Sequence, residues 1–155
     1  MTVNFVLNGK PVSTAVAEDA MLLPVLRELG CKSIKCSCET TNCGCCTVWV
    51  NGEPALSCAY PAARAEGKEI TTLEGLQAEA QEFAAFMANE GADQCGFCNP
   101  GFVMNLLALV RRNADPTDEE IRLWMAGNLC RCTGFASQHR AIRSYIDHCR
   151  KGDVK

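Results

Sequence analysis

The sequence predicts an α+β protein in which a β-rich half is followed by a helical half. Alternating apolar residues and two Asn-Gly turn dipeptides lie before about Leu73. Beyond that point the apolar residues recur at helical spacing, and helix start and stop signals frame them. The 155 residues are 48% apolar, enough for a core in one or two small domains. We predict domains at residues 1–75 and 76–155.

The first half contains five strand candidates and one short helix. Asn8-Gly9 and Asn51-Gly52 each favour a tight type I′ hairpin between two strands. Between the hairpins, Met21 to Leu29 places its apolar residues on one side and is stopped by Gly30, which indicates a helix. The predicted strands span residues 3–7, 12–16, 47–50, 54–57 and 69–72.

The second half contains four helix candidates. Pro100 suits a first helical turn, and apolar side chains surround the segment after it, which predicts a helix buried in the middle of a bundle. Thr117 and Glu120 form a capping-box pattern that opens the next helix. The predicted helices span residues 77–89, 101–112, 117–125 and 137–150.

The composition argues against two classes of partner. A net charge of −3 gives no electrostatic reason to expect binding to nucleic acid or to an anionic membrane. The longest apolar stretch, Phe102 to Val110, is interrupted by Asn105 and is too short to span a bilayer. No secretory signal is visible at the start of the sequence. We therefore expect a cytoplasmic location.

Twelve cysteines dominate the chemistry of the chain. In a reducing compartment, thiols at this density are typical of metal ligands or redox groups. The alternative, a framework of disulfides, requires an exported chain, and the N-terminal sequence does not support export.

The first cysteine set comprises Cys38, Cys43, Cys46 and Cys58. Its first three members follow C-x4-C-x2-C and the fourth comes after a strand, which is the plant-type spacing for a [2Fe–2S] cluster. Gly44 fits a place where the backbone approaches closely or takes a positive φ. A zinc site is the alternative, although zinc usually pairs two C-x2-4-C knuckles.

The second cysteine set comprises Cys95, Cys98, Cys130 and Cys132. These residues lie in two loops, one between the first and second helices of this half and one between the third and fourth. The intervening residues allow the chain to run along one helix and return along another, so both loops meet at one end of the bundle. A second binuclear cluster fits there. Zinc is a serious rival for this set alone, but two redox-active sites in one chain would make an electron relay.

The remaining chemically active side chains have simpler interpretations. His139 and His148 are predicted to be ordinary helix residues and not ligands of a Rieske centre, because eight thiolates already fill two clusters. Trp49 and Trp124 are predicted to pack in a core or interface. Four cysteines lie outside both sets and are predicted to be small, buried side chains: Cys31, Cys36, Cys45 and Cys149.

Five motifs spread over essentially the whole chain match one known family. They are Leu26-Arg27-Glu28-Leu29-Gly30, Cys43-Gly44-Cys45-Cys46-Thr47-Val48, Ser57-Cys58, Gln94-Cys95-Gly96-Phe97-Cys98-Asn99-Pro100-Gly101 and Gly127-Asn128-Leu129-Cys130-Arg131-Cys132-Thr133-Gly134. With these motifs the chain resembles the small iron–sulfur subunit of the molybdenum hydroxylases, the xanthine dehydrogenase and aldehyde oxidoreductase family. The resemblance implies a ferredoxin-like β-grasp domain followed by a four-helix bundle.

The resemblance also implies a role and partners. A molybdopterin-binding large subunit hydroxylates a substrate with oxygen from water, and electrons leave it through the helical-domain cluster, the ferredoxin-like cluster and FAD on a third subunit. Gln94 and Cys132 occupy the positions that approach the pterin in the family. The chain itself has no residue that we would assign to substrate conversion. Its enzymatic character is that of a subunit of an oxidoreductase complex.

Some positions depart from the family pattern. Ser37, Glu39 and Thr41 replace glycines around the first cysteine ligand, which predicts either a different loop backbone or a strained one. Asn99, Phe135 and Gln138 replace a usual Thr, Tyr and Ile. None of these changes removes a cysteine of either set.

Two other functions remain as alternatives. One is a free-standing ferredoxin-type carrier, against which stands the helical half with its own cysteine set and its all-round apolar helix. The other is a zinc-stapled scaffold without a redox role, which would be colourless.

Overall fold

The computed structural model describes residues 1–152 and contains one five-stranded sheet and five α-helices. This confirms the predicted mixed α+β class. The strands are β1 (Thr2–Leu7), β2 (Lys10–Ala15), β3 (Thr47–Val50), β4 (Glu53–Leu56) and β5 (Glu69–Thr71). The helices are α1 (Leu22–Glu28), α2 (Gln77–Asn89), α3 (Asn99–Arg112), α4 (Asp118–Met125) and α5 (Ala136–Gly152).

The sheet has the order β2-β1-β5-β3-β4. β1 pairs antiparallel with β2 and parallel with β5, and β3 pairs antiparallel with both of its neighbours. Asn8 and Gly9 have φ of 50° and 77°, as a type I′ turn requires. Because that turn has only two residues, β2 begins at Lys10, two residues earlier than the sequence predicts.

The sheet and the helices each contribute a buried cluster of side chains. On one side, α1 packs its apolar face against the sheet through residues that include Leu22 and Leu26. On the other, α2 to α5 surround residues that include Phe83 and Phe102. α3 is buried on most of its circumference, as predicted. No helix within residues 1–152 has the length and apolar character needed to cross a membrane.

The capping box at the start of α4 is present. Thr117 Oγ1 accepts a hydrogen bond of 3.2 Å from the backbone N–H of Glu120, and the Glu120 carboxylate accepts one of 2.7 Å from the backbone N–H of Thr117. The pair satisfies two backbone donors that the first turn of a helix otherwise leaves unpaired.

β3 is covered on both of its faces, and this joins the two clusters. Val48 points into the cluster of the sheet and α1, whereas the next residue, Trp49, is 1% exposed and packs among the helices. Trp49 Nε1 donates a hydrogen bond of 2.8 Å to the carbonyl of Met104 in α3. The Arg111 guanidinium lies 4.4 Å from the ring centre of Trp49. A strand with two buried faces reads as a continuous apolar run, as this one does.

Candidate metal centres

The loop that carries most of the first cysteine set is anchored at its base by a carboxylate. Glu74 accepts hydrogen bonds from the backbone N–H of Ser33 (2.9 Å) and from its hydroxyl (2.7 Å). The Thr72 hydroxyl donates a third bond of 2.6 Å. Burial raises the pKa of Glu74, but these donors outweigh burial and the net pKa is lowered. The charged carboxylate therefore ties the loop to the segment after β5.

The β3–β4 hairpin brings the third and fourth cysteines of the first set together. Thr47 pairs with Leu56, so the residues just outside this pair, Cys46 and Ser57, are adjacent. Ser57 donates to the carbonyl of Cys46 from its backbone N–H (3.2 Å) and from its hydroxyl (2.7 Å). Cys58 follows in a 3₁₀ turn, Ser57–Ala59, and is held beside Cys46 by this register.

Backbone N–H groups surround the sulfur of Cys38. The N–H of Asn42 donates to it at 3.4 Å, and the backbone of Thr40 and of Cys43 also donates. Because these donors favour the thiolate, they lower the pKa of Cys38 to about 6. Such a turn of amides favours an anionic sulfur, which is the form that binds metal.

Of the three residues that replace glycines in this loop, Ser37 does not have a positive φ, whereas the other two do. Glu39 and Thr41 have φ of 53° and 57°, so both residues lie in the left-handed region where the family pattern has glycine. The loop therefore keeps a glycine-like backbone with side chains that do not favour it. For a β-branched residue such as Thr41 this conformation is unusual and costs about 1–2 kcal/mol.

The sulfurs of the first set influence one another in pairs. Cys38 interacts with Cys43, and Cys46 with Cys58, while Cys43 also interacts with Cys45, which lies outside the set. Burial, followed by the neighbouring sulfur of Cys46, raises the pKa of Cys58 to about 12. Two thiolates held this close repel each other unless a cation lies between them.

The second set is also paired, with one member of each pair from each loop. The sulfurs of Cys95 and Cys132 are 3.5 Å apart. Cys98, which caps α3, hydrogen-bonds with Cys130, and burial followed by this contact raises the pKa of Cys98 to about 12. The loop between α2 and α3 and the loop between α4 and α5 therefore meet, as the sequence predicts.

Paired sulfurs are the arrangement that a binuclear cluster needs. Each iron of a [2Fe–2S] cluster takes two protein thiolates, so two pairs of thiolates per site match its ligand set. The donor chemistry of both sets thus fits a [2Fe–2S] group, and the assignment of the eight ligands stays a prediction.

Two cysteines of the second set lie at the surface, and exposed apolar residues stand near them in the sequence. Cys95 and Cys132 are exposed, and so is Gln94. Large apolar side chains within a few residues of them in the sequence are also exposed: Phe97, Leu129 and Phe135. Exposed apolar residues clustered at one place are typical of a contact surface for another protein.

A direct backbone contact connects the two cysteine loops. The N–H of Leu129 donates to the carbonyl of Cys43 at 2.9 Å. The amide of Asn128 donates to the carbonyl of Gly44 at 3.3 Å and accepts a bond of 2.6 Å from Asn105 of α3. Leu129, which is hydrogen-bonded to Cys43 of the first set, is therefore the residue directly before Cys130 of the second set.

Two glycines make this close approach possible. Gly44 has φ of 73°, and a Cβ there would lie 2.5 Å from the carbonyl oxygen of Gly127. A Cβ on Gly101, at the start of α3, would collide with the carbonyl oxygen of Gly44 and the backbone of Cys45. Both predicted reasons for Gly44, a positive φ and a close contact, are therefore correct.

The four cysteines outside the two sets do not share one environment. Cys31 and Cys45 are buried, as predicted, and Cys149 is partly buried against the helical cluster. Cys36 is exposed, so the prediction of a buried side chain is wrong for this residue. It lies on the rim of an open groove beside α1, where loop residues face solvent.

The aromatic and histidine predictions agree with the structure. Trp49 is in the core, and Trp124 is partly buried and donates a hydrogen bond of 2.9 Å to the carbonyl of Asn105. His139 and His148 lie on α5, at 3.7 Å from Asp118 and 3.5 Å from Glu82.

Sequence reasoning missed the residues that join the two loops. Asn105, Gly101 and Asn128 contribute no cysteine and match no ligand pattern, and their partners are far away in sequence. Gly101 and Asn128 stand inside two of the motifs that carry the family resemblance, but a motif of neighbouring residues does not reveal their contacts with the first loop.

Two sequence families match the chain. Residues 5–83 match the family described as a 2Fe-2S iron-sulfur cluster binding domain, and residues 72–143 match the [2Fe-2S] binding domain family. The chain is 41% identical over 152 residues to the nicotinate dehydrogenase small FeS subunit of Eubacterium barkeri, covering 96% of this chain and 97% of that protein. The chain belongs to the iron–sulfur subunits of the molybdenum hydroxylase family.

Further relatives agree with this membership. The chain is 42% identical to the isoquinoline 1-oxidoreductase subunit alpha of Brevundimonas diminuta, over 91% of this chain and 97% of that one. The crystal structure of quinoline 2-oxidoreductase from Pseudomonas putida matches with a TM-score of 0.88 and 35% identity, covering 99% of this chain and 98% of that chain. The fold is therefore that of an electron-transfer subunit of an oxidoreductase.

We predict that Gly101→Ala destabilises this subunit because the new Cβ pushes α3 away from the backbone of the first loop. Overpacking of this kind costs about 2 kcal/mol, or about 6 °C in the midpoint of thermal unfolding. Gly127→Ala is the matched control, since a Cβ there meets nothing within 4 Å. Equal midpoints for the two variants would contradict the proposed role of Gly101.

We predict that Thr41→Gly stabilises the subunit by about 0.5–1 kcal/mol, because the relief of left-handed strain exceeds the added entropy of glycine in the unfolded chain. Thr40→Gly is the control. Thr40 lies between two positive-φ residues but does not itself have a positive φ, so the glycine should only destabilise. Denaturant unfolding of both variants measures the difference, and a loss of stability in Thr41→Gly would rule the strain out.

Proposed function

We propose that this chain is the electron-transfer subunit of a hetero-oligomeric, molybdopterin-dependent hydroxylase. It would accept electrons from a molybdopterin-binding large subunit and deliver them to an FAD-binding subunit. The observation that supports this most strongly is the contact between the two cysteine loops, where Cys43 of one set is bonded through its carbonyl to Leu129, next to Cys130 of the other. Two sites in direct contact suit a relay inside one protein.

We assign the ligands by set. Cys38, Cys43, Cys46 and Cys58 would hold the first [2Fe–2S] cluster, and Cys95, Cys98, Cys130 and Cys132 would hold the second. The paired sulfurs support this assignment, because each pair supplies the two thiolates of one iron. The bound clusters would supply one-electron transfer, and this chain would supply their position and their hydrogen bonds.

We propose two domains, at residues 1–75 and 76–155, of the ferredoxin-like β-grasp and four-helix types. The separate clusters of buried residues support a division, since the sheet packs with α1 and the four later helices pack together. The two family matches overlap over residues 72–83, which fits a boundary in this region. The last three residues of the second domain lie outside the described part of the chain.

We propose that the face that carries Cys132 is the contact surface for the large subunit. Gln94, Cys95 and Cys132 are exposed there among exposed apolar side chains, and burying that surface would exclude water from the second cluster. Gln94 and Cys132 would then lie nearest to the molybdopterin. Names of relatives such as the small FeS subunit of nicotinate dehydrogenase support a multi-subunit complex over a free-standing carrier. The dense thiols also suit a cytoplasmic location.

Metal analysis of the intact complex tests this proposal. We expect about four irons and four acid-labile sulfides per copy of this chain, visible absorption, and two distinct EPR signals on reduction, because each set holds one binuclear cluster. A content of two irons per copy would mean that only one of the two sets holds a cluster, and would contradict the proposed relay. Zinc in either site, with a colourless chain, would favour the scaffold alternative.

Replacing Cys132 by Ser tests the order of the relay. We expect substrate to reduce FAD at a small fraction of the normal rate, while dithionite still reduces the first cluster, because the variant damages only the site nearest the molybdenum. Cys36→Ser is the matched control, since Cys36 is an exposed cysteine outside both sets. Normal FAD reduction by substrate in the Cys132 variant would overturn the assigned order.

A further inference from the structure

The hydroxyl of Thr133 lies among three polar groups beside the second cysteine set. Its Oγ1 is 3.2 Å from Cys130 Sγ and 3.0 Å from Gln138 Oε1, and it accepts a bond of 3.3 Å from the N–H of Phe135. A hydroxyl carries one proton and accepts up to two hydrogen bonds. It can therefore donate to the sulfur or to the amide oxygen, but not to both.

The amide of Gln138 decides which of these acceptors receives the proton. Gln138 is 1% exposed, and its Nε2 has no hydrogen-bond partner, although a buried unpaired donor costs about 1–3 kcal/mol. A 180° rotation of the amide exchanges its nitrogen and oxygen, which have nearly the same shape. In that orientation Nε2 donates to Thr133 Oγ1. The hydroxyl then accepts two bonds, and its only proton is left for Cys130 Sγ.

The surroundings of Gln138 give a physical reason to look for a role. The side chain lines a cavity of about 270 Å³ whose other walls are mainly apolar and include Phe102 and Ile142. An amide in such a place is costly unless its polar atoms are used.

We propose that Gln138 is a positioning residue that directs the Thr133 hydroxyl onto Cys130 Sγ and so raises the reduction potential of the cluster held there. Reduction adds negative charge to the cluster and its thiolates, and a hydrogen bond to a ligand sulfur stabilises that charge. The amide strengthens this bond because a donor to Oγ1 polarises the hydroxyl. The inference rests on the proposed function, in which Cys130 is a cluster ligand.

Redox titration of the holo complex, followed by EPR, tests the inference. Thr133→Val and Gln138→Leu should each lower the potential of one cluster and leave that of the other unchanged. Thr133→Ser keeps the hydroxyl and should stay near the wild-type potential.

The sign of the Gln138→Leu shift is the decisive result. A raised potential would mean that the amide oxygen competes with the sulfur for the proton, and an unchanged potential would mean that the amide has no influence; either result overturns the inference. In the Thr133→Val background, Gln138→Leu should produce no further shift, because its effect passes through the hydroxyl. A further shift of similar size there would also overturn it.

The same titration separates this inference from the proposed function. A wild-type complex with one EPR signal, or with zinc in the second site, contradicts the proposed function itself. A wild-type complex with two signals, of which neither moves in the Thr133 and Gln138 variants, contradicts only the role of these two residues.

Discussion

The backbone contact between the two cysteine loops is the constraint on which the rest of the structure depends. The carbonyls of Cys43 and Gly44 receive the N–H of Leu129 and the amide of Asn128, so the loops approach to hydrogen-bonding distance. That approach requires glycine at the start of α3 and at the turn of the first loop. Everything else, from the hairpin that delivers Cys58 to the four helices, holds these two loops in contact.

The covered strand β3 explains why the contact is rigid. Its alternate side chains enter two different clusters, and Trp49 forms a hydrogen bond with a carbonyl of α3, the helix whose first turn meets the first loop. Relative movement of the sheet and the helices would have to break this bond and expose a large aromatic side chain. Movement of the two cysteine sets relative to each other is therefore costly, which suits electron transfer over a fixed distance.

Local patterns carried most of the information that could be read from the sequence. Asn-Gly dipeptides, the capping box at Thr117 and the cysteine spacings depend on neighbouring residues, and the elements they predict are present with ends shifted by a few residues. The contacts of Gly101 and Asn128 depend on residues far away in sequence, which no local pattern reveals. The exposed position of Cys36 was missed for a similar reason, since a general preference of cysteine for burial says nothing about which side of a loop faces solvent.

In the first loop the positive φ that glycine usually adopts is retained at two positions where glycine is absent. Glu39 and Thr41 keep a positive φ because the N–H groups of this turn converge on the sulfur of Cys38, and another backbone path would aim them elsewhere. The stabilisation of the Cys38 thiolate by these N–H groups therefore offsets the backbone strain of the turn. In the second site the corresponding donors include a side chain, the hydroxyl of Thr133, whose direction depends on its own neighbours. A backbone donor can be moved only by deforming the loop, whereas a hydroxyl can be redirected by one substitution. The proposed role of Thr133 therefore gives the second site a donor that one substitution can redirect without disturbing the backbone contact between the loops.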